Sequence, residues 1–390
     1  METDRQQQTG EFPAFRGGRI ITDPGAEFAE EALFWEGCPT ILRTPKGKFF
    51  AGWYGGGTRE PSPYNCNILR ASTDGGRTWS EPVLVIAGDP EAKCRSIDIQ
   101  LWLDPRKRMW VFWTQRDDNF PATEREHLRT WAILCEDPDA PELRWSEPRF
   151  CAHGFVRCAP TVLSNGVWLL CAYDWRGDRY HYSESHDEGE SWEPREGGRK
   201  LPTRFDESMV LEKRTPGELL MFARSNCGHY ALSRSSDYGA HWTPAAPGAL
   251  VAADSRLFVR RLRSGRVLLI LNNHEIIHRR NMCAFLSDDD GETFPHRLLL
   301  DSRDAVSYPD AAEDETGAIT AIYDHLRMPN GEILLCRFRE EDILAGKFVS
   351  DDALEPFVIS RARNFDEAAR QAVAEAESKY PFQRAPAFTG

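Results

Sequence analysis

Short apolar runs separated by polar links dominate the chain, and the runs come in pairs. Pro39-Thr-Ile-Leu precedes Phe49-Phe-Ala-Gly-Trp, Gln100-Leu-Trp-Leu precedes Met109-Trp-Val-Phe-Trp, and Thr161-Val-Leu precedes Val167-Trp-Leu-Leu-Cys. The series continues with Ser208-Met-Val-Leu and Leu219-Leu-Met-Phe, Leu257-Phe-Val and Val267-Leu-Leu-Ile, then Asp310 onward and Ile319-Thr-Ala-Ile-Tyr. Runs this short, rich in β-branched and aromatic residues and joined by turn pairs such as Lys46-Gly47, Asn165-Gly166, Pro216-Gly217 and Ser264-Gly265, predict strands in hairpins. Helix is predicted only at 364–379, with a turn at 340–345. The strand at Glu332-Ile-Leu-Leu-Cys-Arg-Phe, or the apolar Arg19-Ile-Ile, is expected to close the structure by pairing N- and C-terminal segments in one sheet.

A repeat follows the paired runs. Ser72-Thr-Asp-Gly-Gly-Arg-Thr-Trp79 recurs as Ser185-His-Asp-Glu-Gly-Glu-Ser-Trp192, Ser235-Ser-Asp-Tyr-Gly-Ala-His-Trp242 and Ser287-Asp-Asp-Asp-Gly-Glu-Thr-Phe294, and a degenerate turn runs from Glu136 to Trp145. Its aspartate can accept backbone N–H groups and its glycine can take a positive φ, so the motif builds a turn and does no chemistry. The closing aromatics at 79, 145, 192, 242 and 294 are 66, 47, 50 and 52 residues apart, about one four-stranded blade per step. Five such turns and a last blade predict an all-β, six-bladed β-propeller over 19–350, with a polar tail at 1–18 and a C-terminal extension at 351–390 that carries one helix.

Composition narrows the function. A formal net charge of −13 argues against a broad nucleic-acid or anionic-membrane surface. Most of the ten cysteines stand singly in apolar runs, without metal-ligand spacing, and are expected to be buried reduced thiols. Neither a phosphate-binding glycine loop nor a nucleophile elbow is present, so no cofactor and no metal are expected. The polar first eighteen residues lack a signal-like apolar stretch, which predicts a cytoplasmic protein, or a secreted or periplasmic one if a leader has been removed.

In a propeller the starts of the innermost strands converge on the axis. Glu36 leads into the first, Arg95, Asp98 and Gln100 into the second, and Arg157 into the third. Asp206 and Glu207 lead into the fourth, Asp254 and Arg256 into the fifth, and Tyr308 and Asp310 into the sixth. His274 and the Asp324-His325 pair end later strands near the same rim. Carboxylates and arginines on one funnel suit glycosidic cleavage of an acidic sugar, which needs an acid, a base or nucleophile, and forks for a carboxylate.

Over about residues 30–350 the chain resembles the sialidase-like, or BNR/Asp-box, superfamily. Trp53-Tyr54-Gly55-Gly56, Arg261-Leu-Arg-Ser-Gly265, Val306-Ser-Tyr-Pro-Asp310 and Ile322-Tyr-Asp-His325 resemble a bacterial exo-sialidase-like branch. The resemblance implies Tyr308 as nucleophile with Glu207 as its partner, Arg224 as a clamp arginine, and Arg59-Glu60 on the acid/base loop. The Arg-Ile-Pro arginine of sialidases is absent, since Gly37-Cys38-Pro39-Thr40-Ile41 stands in its place. The expected function is an exo-glycoside hydrolase on a terminal acidic sugar. Tyr308, Glu207, Glu60 and Asp98 are its catalytic candidates; Glu36, Arg59, Arg95, Gln100, Arg157, Arg224, Arg256, His274 and Asp310 are its binding candidates. A uronic-acid lyase using Tyr308 or His274 as base, and a non-catalytic carbohydrate-binding propeller, remain alternatives; the sequence leaves the oligomeric state open.

Overall fold

The computed structural model describes residues 18–121, 124–175, 177–274, 278–327 and 331–380. The paired runs are the two inner strands of six antiparallel sheets, arranged as a six-bladed β-propeller. From axis to rim, blade one is Glu36–Arg43, Phe49–Gly55, Cys66–Ser72 and Leu84–Ala87. Blade two is Cys94–Leu103, Met109–Asp117, Leu128–Cys135 and Arg149–His153. In blade three two short innermost pieces, Phe155–Val156 and Thr161–Val162, both pair with Trp168–Tyr173, followed by Arg179–Ser185 and Glu193–Arg199.

Blade four is Met209–Glu212, Leu219–Ala223, His229–Ser235 and Ala246–Val251; blade five is Phe258–Arg261, Val267–Asn272, Arg280–Ser287 and His296–Asp304. Blade six is Val306–Glu313, Ile319–His325, Glu332–Phe338 and Leu354–Arg361. The second strands read as nearly unbroken apolar runs because each is covered on both faces by neighbouring blades: in blade two, Val111 and Trp113 pack with Leu69 and Ile86 of blade one, and Trp110 and Phe112 with Trp168 and Leu170 of blade three. Removing one such buried ring typically costs roughly 3–5 kcal/mol.

The repeated turns join the third and fourth strands of blades one, three, four and five, and their chemistry is self-contained. Asp74 Oδ1 accepts the backbone N–H of Arg77 and of Thr78, both at 3.0 Å, while Thr78 Oγ1 donates to Oδ2 at 2.6 Å. Asp187, Asp237 and Asp289 do the same for Ser191, His241 and Thr293. The glycine two residues on, at φ +85° in Gly76 and +91° in Gly239, turns its N–H onto the leading serine. In blade six the helix Glu340–Ala345 replaces this turn.

Two expectations about the ends are corrected. Among the described residues no sheet mixes the two ends of the chain: Arg19–Ile21 adds a fifth strand outside Leu84–Ala87 of blade one, and blade six is completed by its own Leu354–Arg361. The sheets therefore run to residue 361, past the expected limit of 350, because the insertion at 339–353 displaces the outer strand along the sequence. Closure is instead by packing of Glu36–Arg43 against Val306–Glu313, with Arg363 N–H bonding Glu30 and Asn364 N–H bonding Leu33. The helix Glu367–Ser378 then lies over the mouth side of blade one.

Candidate active site

Three innermost strands share one irregularity. In blade one, Gly37 pairs with Tyr54 and Thr40 with Gly52; in blade two, Ile97 pairs with Thr114 and Gln100 with Phe112; in blade six, Ser307 pairs with Asp324 and Asp310 with Ile322. Each innermost strand thus holds one extra residue, and each bulge has a left-handed, non-glycine residue: Cys38 at φ +58°, Asp98 at +66° and Tyr308 at +57°. Glu207, leading into blade four, sits at +35°. Such conformations cost roughly 1–3 kcal/mol each and collect at functional sites. Blade three contributes differently: its innermost strand is broken between Val156 and Thr161, and Arg157 projects from the break.

These residues meet. The Tyr308 hydroxyl donates to Glu207 Oε1 at 2.6 Å, and Arg224 Nη1 donates to Glu207 Oε2 at 2.9 Å and to the Tyr308 oxygen at 3.2 Å. Arg157 lies 2.9 Å from Asp98, 3.6 Å from Glu207 and 3.8 Å from Glu60. The guanidinium carbons of Arg327, Arg157 and Arg279 stand 4.5, 4.8 and 5.2 Å from the centre of the Tyr308 ring. Tyr54 donates its hydroxyl to Glu60, and Arg327 Nη1 reaches Glu60 Oε2 at 2.7 Å and Cys38 Sγ at 2.9 Å. Asp324 holds the opposite side, accepting Cys38 N–H at 2.8 Å and the Ser307 hydroxyl at 2.6 Å. Phe155, Tyr173, Trp175 and Phe205 form an aromatic wall towards blades three and four.

The electrostatics separate the carboxylates. Burial pushes Asp98 up to about 7, with the charges of Glu60 and Glu207 adding and Arg157 opposing. Burial also acts on Glu207, but Arg224, Arg157 and the Tyr308 hydrogen bond outweigh it and hold the group below the usual carboxylate range. Glu60 is held low in the same way by Arg327, Arg157 and Tyr54 against its burial. Burial, then the Glu207 charge, raises the Tyr308 phenol despite three nearby arginines. Glu60 and Asp254 are a third exposed and form the rim, whereas Asp98, Glu207, Arg157, Arg224 and Tyr308 are buried beneath them.

Of the sequence candidates, Tyr308, Glu207, Glu60, Asp98, Arg157 and Arg224 are brought together, and seven are placed elsewhere. Glu36 faces away from the axis, accepting the Ser360 hydroxyl at 3.0 Å, and burial with the Glu30 charge lifts it to about 8. Arg59 turns outward to Glu377 at 3.6 Å. Arg95 forks onto Asp118 at 2.5 and 2.9 Å. Gln100 and Asp310, each two residues past a bulge, form a deeper layer with Arg256, where Arg256 donates to Gln100 at 3.2 Å and Asp310 accepts the Thr40 hydroxyl at 2.5 Å. Strand alternation explains this: once the bulge aims 98 and 308 at the mouth, the next same-side residues point further down the axis. His274 stands with its ring 6.0 Å from that of His278, outside the Tyr308 cluster. Asp324 belongs to the site, but its neighbour His325 pairs with Glu332 at 2.8 Å. Asp206 is spent on Lys200 at 2.6 Å.

Arg279, Arg327, Tyr54 and Cys38 were not among the candidates. Arg279 and Arg327 lie beyond the ends of second strands, seven and two residues after Asn272 and His325, so no apolar run marks them. Among the described residues no group of three or more metal-ligating side chains forms a metal site.

Residues 47–321 match the BNR repeat-like domain family. The chain belongs to that family. No curated protein sequence matches this BNR repeat-like protein. Among solved structures it is similar to the Hadza microbial sialidase Hz136, with a TM-score of 0.65 and 18% identity, covering 79% of this chain and 66% of that one. It is also similar to the leech intramolecular trans-sialidase complexed with 2,7-anhydro-Neu5Ac, at TM-score 0.65 and 14% identity over 84% of this chain and 71% of that one. A Dyadobacter fermentans protein of unknown function gives TM-score 0.60 and 18% identity over 79% and 95%. At these identities the likeness concerns the fold. The BNR repeat-like chain spans about two thirds of the length of Hz136.

Proposed function

We propose that this protein is a sialidase-like, exo-acting glycoside hydrolase that removes a terminal sugar bearing a carboxylate. The observation that carries the reading is the Tyr308–Glu207 couple, bonded at 2.6 Å inside a ring of four guanidiniums. A phenol is a weak nucleophile until a base takes its proton, and Glu207 is held ionised for that task. Arg279, to which no carboxylate is paired among the described residues, bonds only the Asp254 carbonyl, so it is the cation most open to an anionic substrate group.

With the sugar carboxylate on Arg279 and its neighbours, Tyr308 Oη attacks the anomeric carbon and passes its proton to Glu207. Glu60, on the rim where the aglycone leaves, takes a proton from solvent once the sugar is bound and gives it to the departing oxygen; it then takes a proton from the water that hydrolyses the glycosyl–tyrosine. Two displacements at one carbon return the original configuration. Asp98, lifted to about 7, is only about half ionised at neutrality, which limits the negative charge beneath the sugar.

The test is a screen of terminal-acid oligosaccharides with the wild type, Tyr308→Phe and Glu207→Gln, following released sugar and its anomeric configuration by NMR. Glu207→Gln should lower kcat by roughly 10²–10⁴-fold, the usual worth of a positioned proton acceptor, and Tyr308→Phe by at least as much. Wild-type turnover by Tyr308→Phe would remove the nucleophile assignment. Unsaturated products absorbing in the ultraviolet would instead indicate elimination from a uronic acid.

A further inference from the structure

The arginine that reaches the Cys38 position comes from another blade, and its placement is specific. Arg327, three residues beyond Asp324 at the end of the second strand of blade six, folds back so that Nη1 lies 2.9 Å from Cys38 Sγ and 2.7 Å from Glu60 Oε2. Its Nε lies 3.3 Å from Asp324. Gly37 makes the room: a Cβ there would meet Arg327 Cδ at 2.4 Å and Cγ at 2.8 Å. Arg327 thus touches both the rim carboxylate and the face of Tyr308. It also stands close enough to Arg279 for their charges to repel, and Arg279 has no paired carboxylate among the described residues.

Resting on the reading above, we propose that Arg327 is an exchangeable partner of Glu60. A carboxylate arriving on Arg279 competes for the Arg327 guanidinium, and as Arg327 turns to it, Glu60 is left to take up the proton that it donates to the leaving oxygen. The groups facing Glu60 agree with this. Tyr54, Arg157, Arg279 and Arg327 surround it with one hydroxyl and three cations, while the buried Cys38 and Asp98 supply the opposing influence. Burial raises Glu60 and the arginines lower it, with Arg327 the strongest of them, so withdrawing Arg327 moves the carboxyl upward. The proton balance closes: one proton enters from solvent on binding, leaves with the aglycone, and is replaced from the hydrolytic water. The device makes the acid competent only when the sugar carries an anion, so Arg327 is a specificity-determining residue.

Calorimetric titrations with N-acetylneuraminic acid and D-glucuronic acid, in buffers of different ionisation enthalpy at pH 6.5, count the protons taken up. N-acetyl-D-glucosamine serves as the neutral control. The wild type should take up about one proton per acid bound. Glu60→Gln should bind the acid without uptake. Arg327→Gln should weaken the acid by roughly ten- to hundredfold, the equivalent of one charge-assisted hydrogen bond, and abolish uptake. Gly37→Ala, which displaces Arg327 sterically and keeps every charge, should reduce both affinity and uptake, so a folding defect in Arg327→Gln would not hide the answer. Acid binding by the wild type without proton uptake, or equal affinity and uptake in Arg327→Gln, would overturn the exchange and leave the hydrolase reading standing. Failure of both acids to bind at millimolar concentration would overturn both.

Discussion

Replacing Glu377 by alanine should release the loop that carries Glu60. The Glu377 carboxylate is buried, accepts the Thr58 N–H at 2.8 Å and the Thr58 hydroxyl at 2.5 Å, and lies 3.6 Å from Arg59. Gly57 admits it, since a Cβ there would meet Glu377 Oε1 at 2.6 Å. Hydrogen bonds to a charged, buried group contribute roughly 1.5–3 kcal/mol each; the Arg59 contact is half-exposed and adds little. Two such bonds, less what water restores once the loop opens, put the loss at about 3 kcal/mol. Of the remaining loop bonds, those of Asn65 to the Gly56 and Arg59 carbonyls and of Ser62 N–H to Asn65 are internal to it, and those of Glu60 with Tyr54 and Arg327 tie it to the axis, not to the helix. The loss therefore appears as local opening, roughly 10²-fold in its equilibrium, with little change in global melting. Amide hydrogen exchange read by mass spectrometry over residues 56–65 measures this directly. Unchanged exchange in Glu377→Ala would show that the helix does not hold the acid loop.

Three further outcomes follow from the same geometry. Asp98 is raised from 3.8 to about 7, so between those values the folded chain binds more protons than the unfolded one. Stability from this group is full below about 4 and is lost as pH rises to 7, and Asp98→Asn should flatten that part of a urea-midpoint profile by up to ~1.4 kcal/mol per pH unit; Glu60 and Glu207, held low, act in the opposite sense only in more acid solution. Asp289→Ala, which removes the acceptor of Thr293 N–H at 2.8 Å, should lower the melting temperature while acid binding at the axis stays within twofold, roughly the error expected of an uncoupled site; a tenfold change in affinity would contradict the purely structural role of the repeat. Arg256→Met, in the deeper layer, should destabilise the fold by roughly 3–5 kcal/mol by leaving Asp310 without its cation, measured by urea unfolding; a stable variant that had lost only acid binding would return Arg256 to the substrate site.

The paired apolar runs and the four Ser-x-Asp-x-Gly turns were enough to predict six sheets and their order, because each is a local device: period, turn chemistry and strand length all act within one blade. Tyr308, Glu207, Asp98 and Arg157 were likewise legible from their places just before apolar strands. Depth and direction were not. Asp98 and Gln100, or Tyr308 and Asp310, look equivalent along the chain, and only the one-residue bulge in the strand pairing sends the first to the mouth and the second down the axis. Arg327 and Arg279 were invisible for a related reason: a long guanidinium reaches across blades, and where it ends depends on gaps such as Gly37 that belong to distant segments. Local hydrogen bonding and hydrophobic period determined the blades from sequence alone. Which charges share the central hollow was decided only by the closure of the ring, which puts residues 38 and 327 within one hydrogen bond.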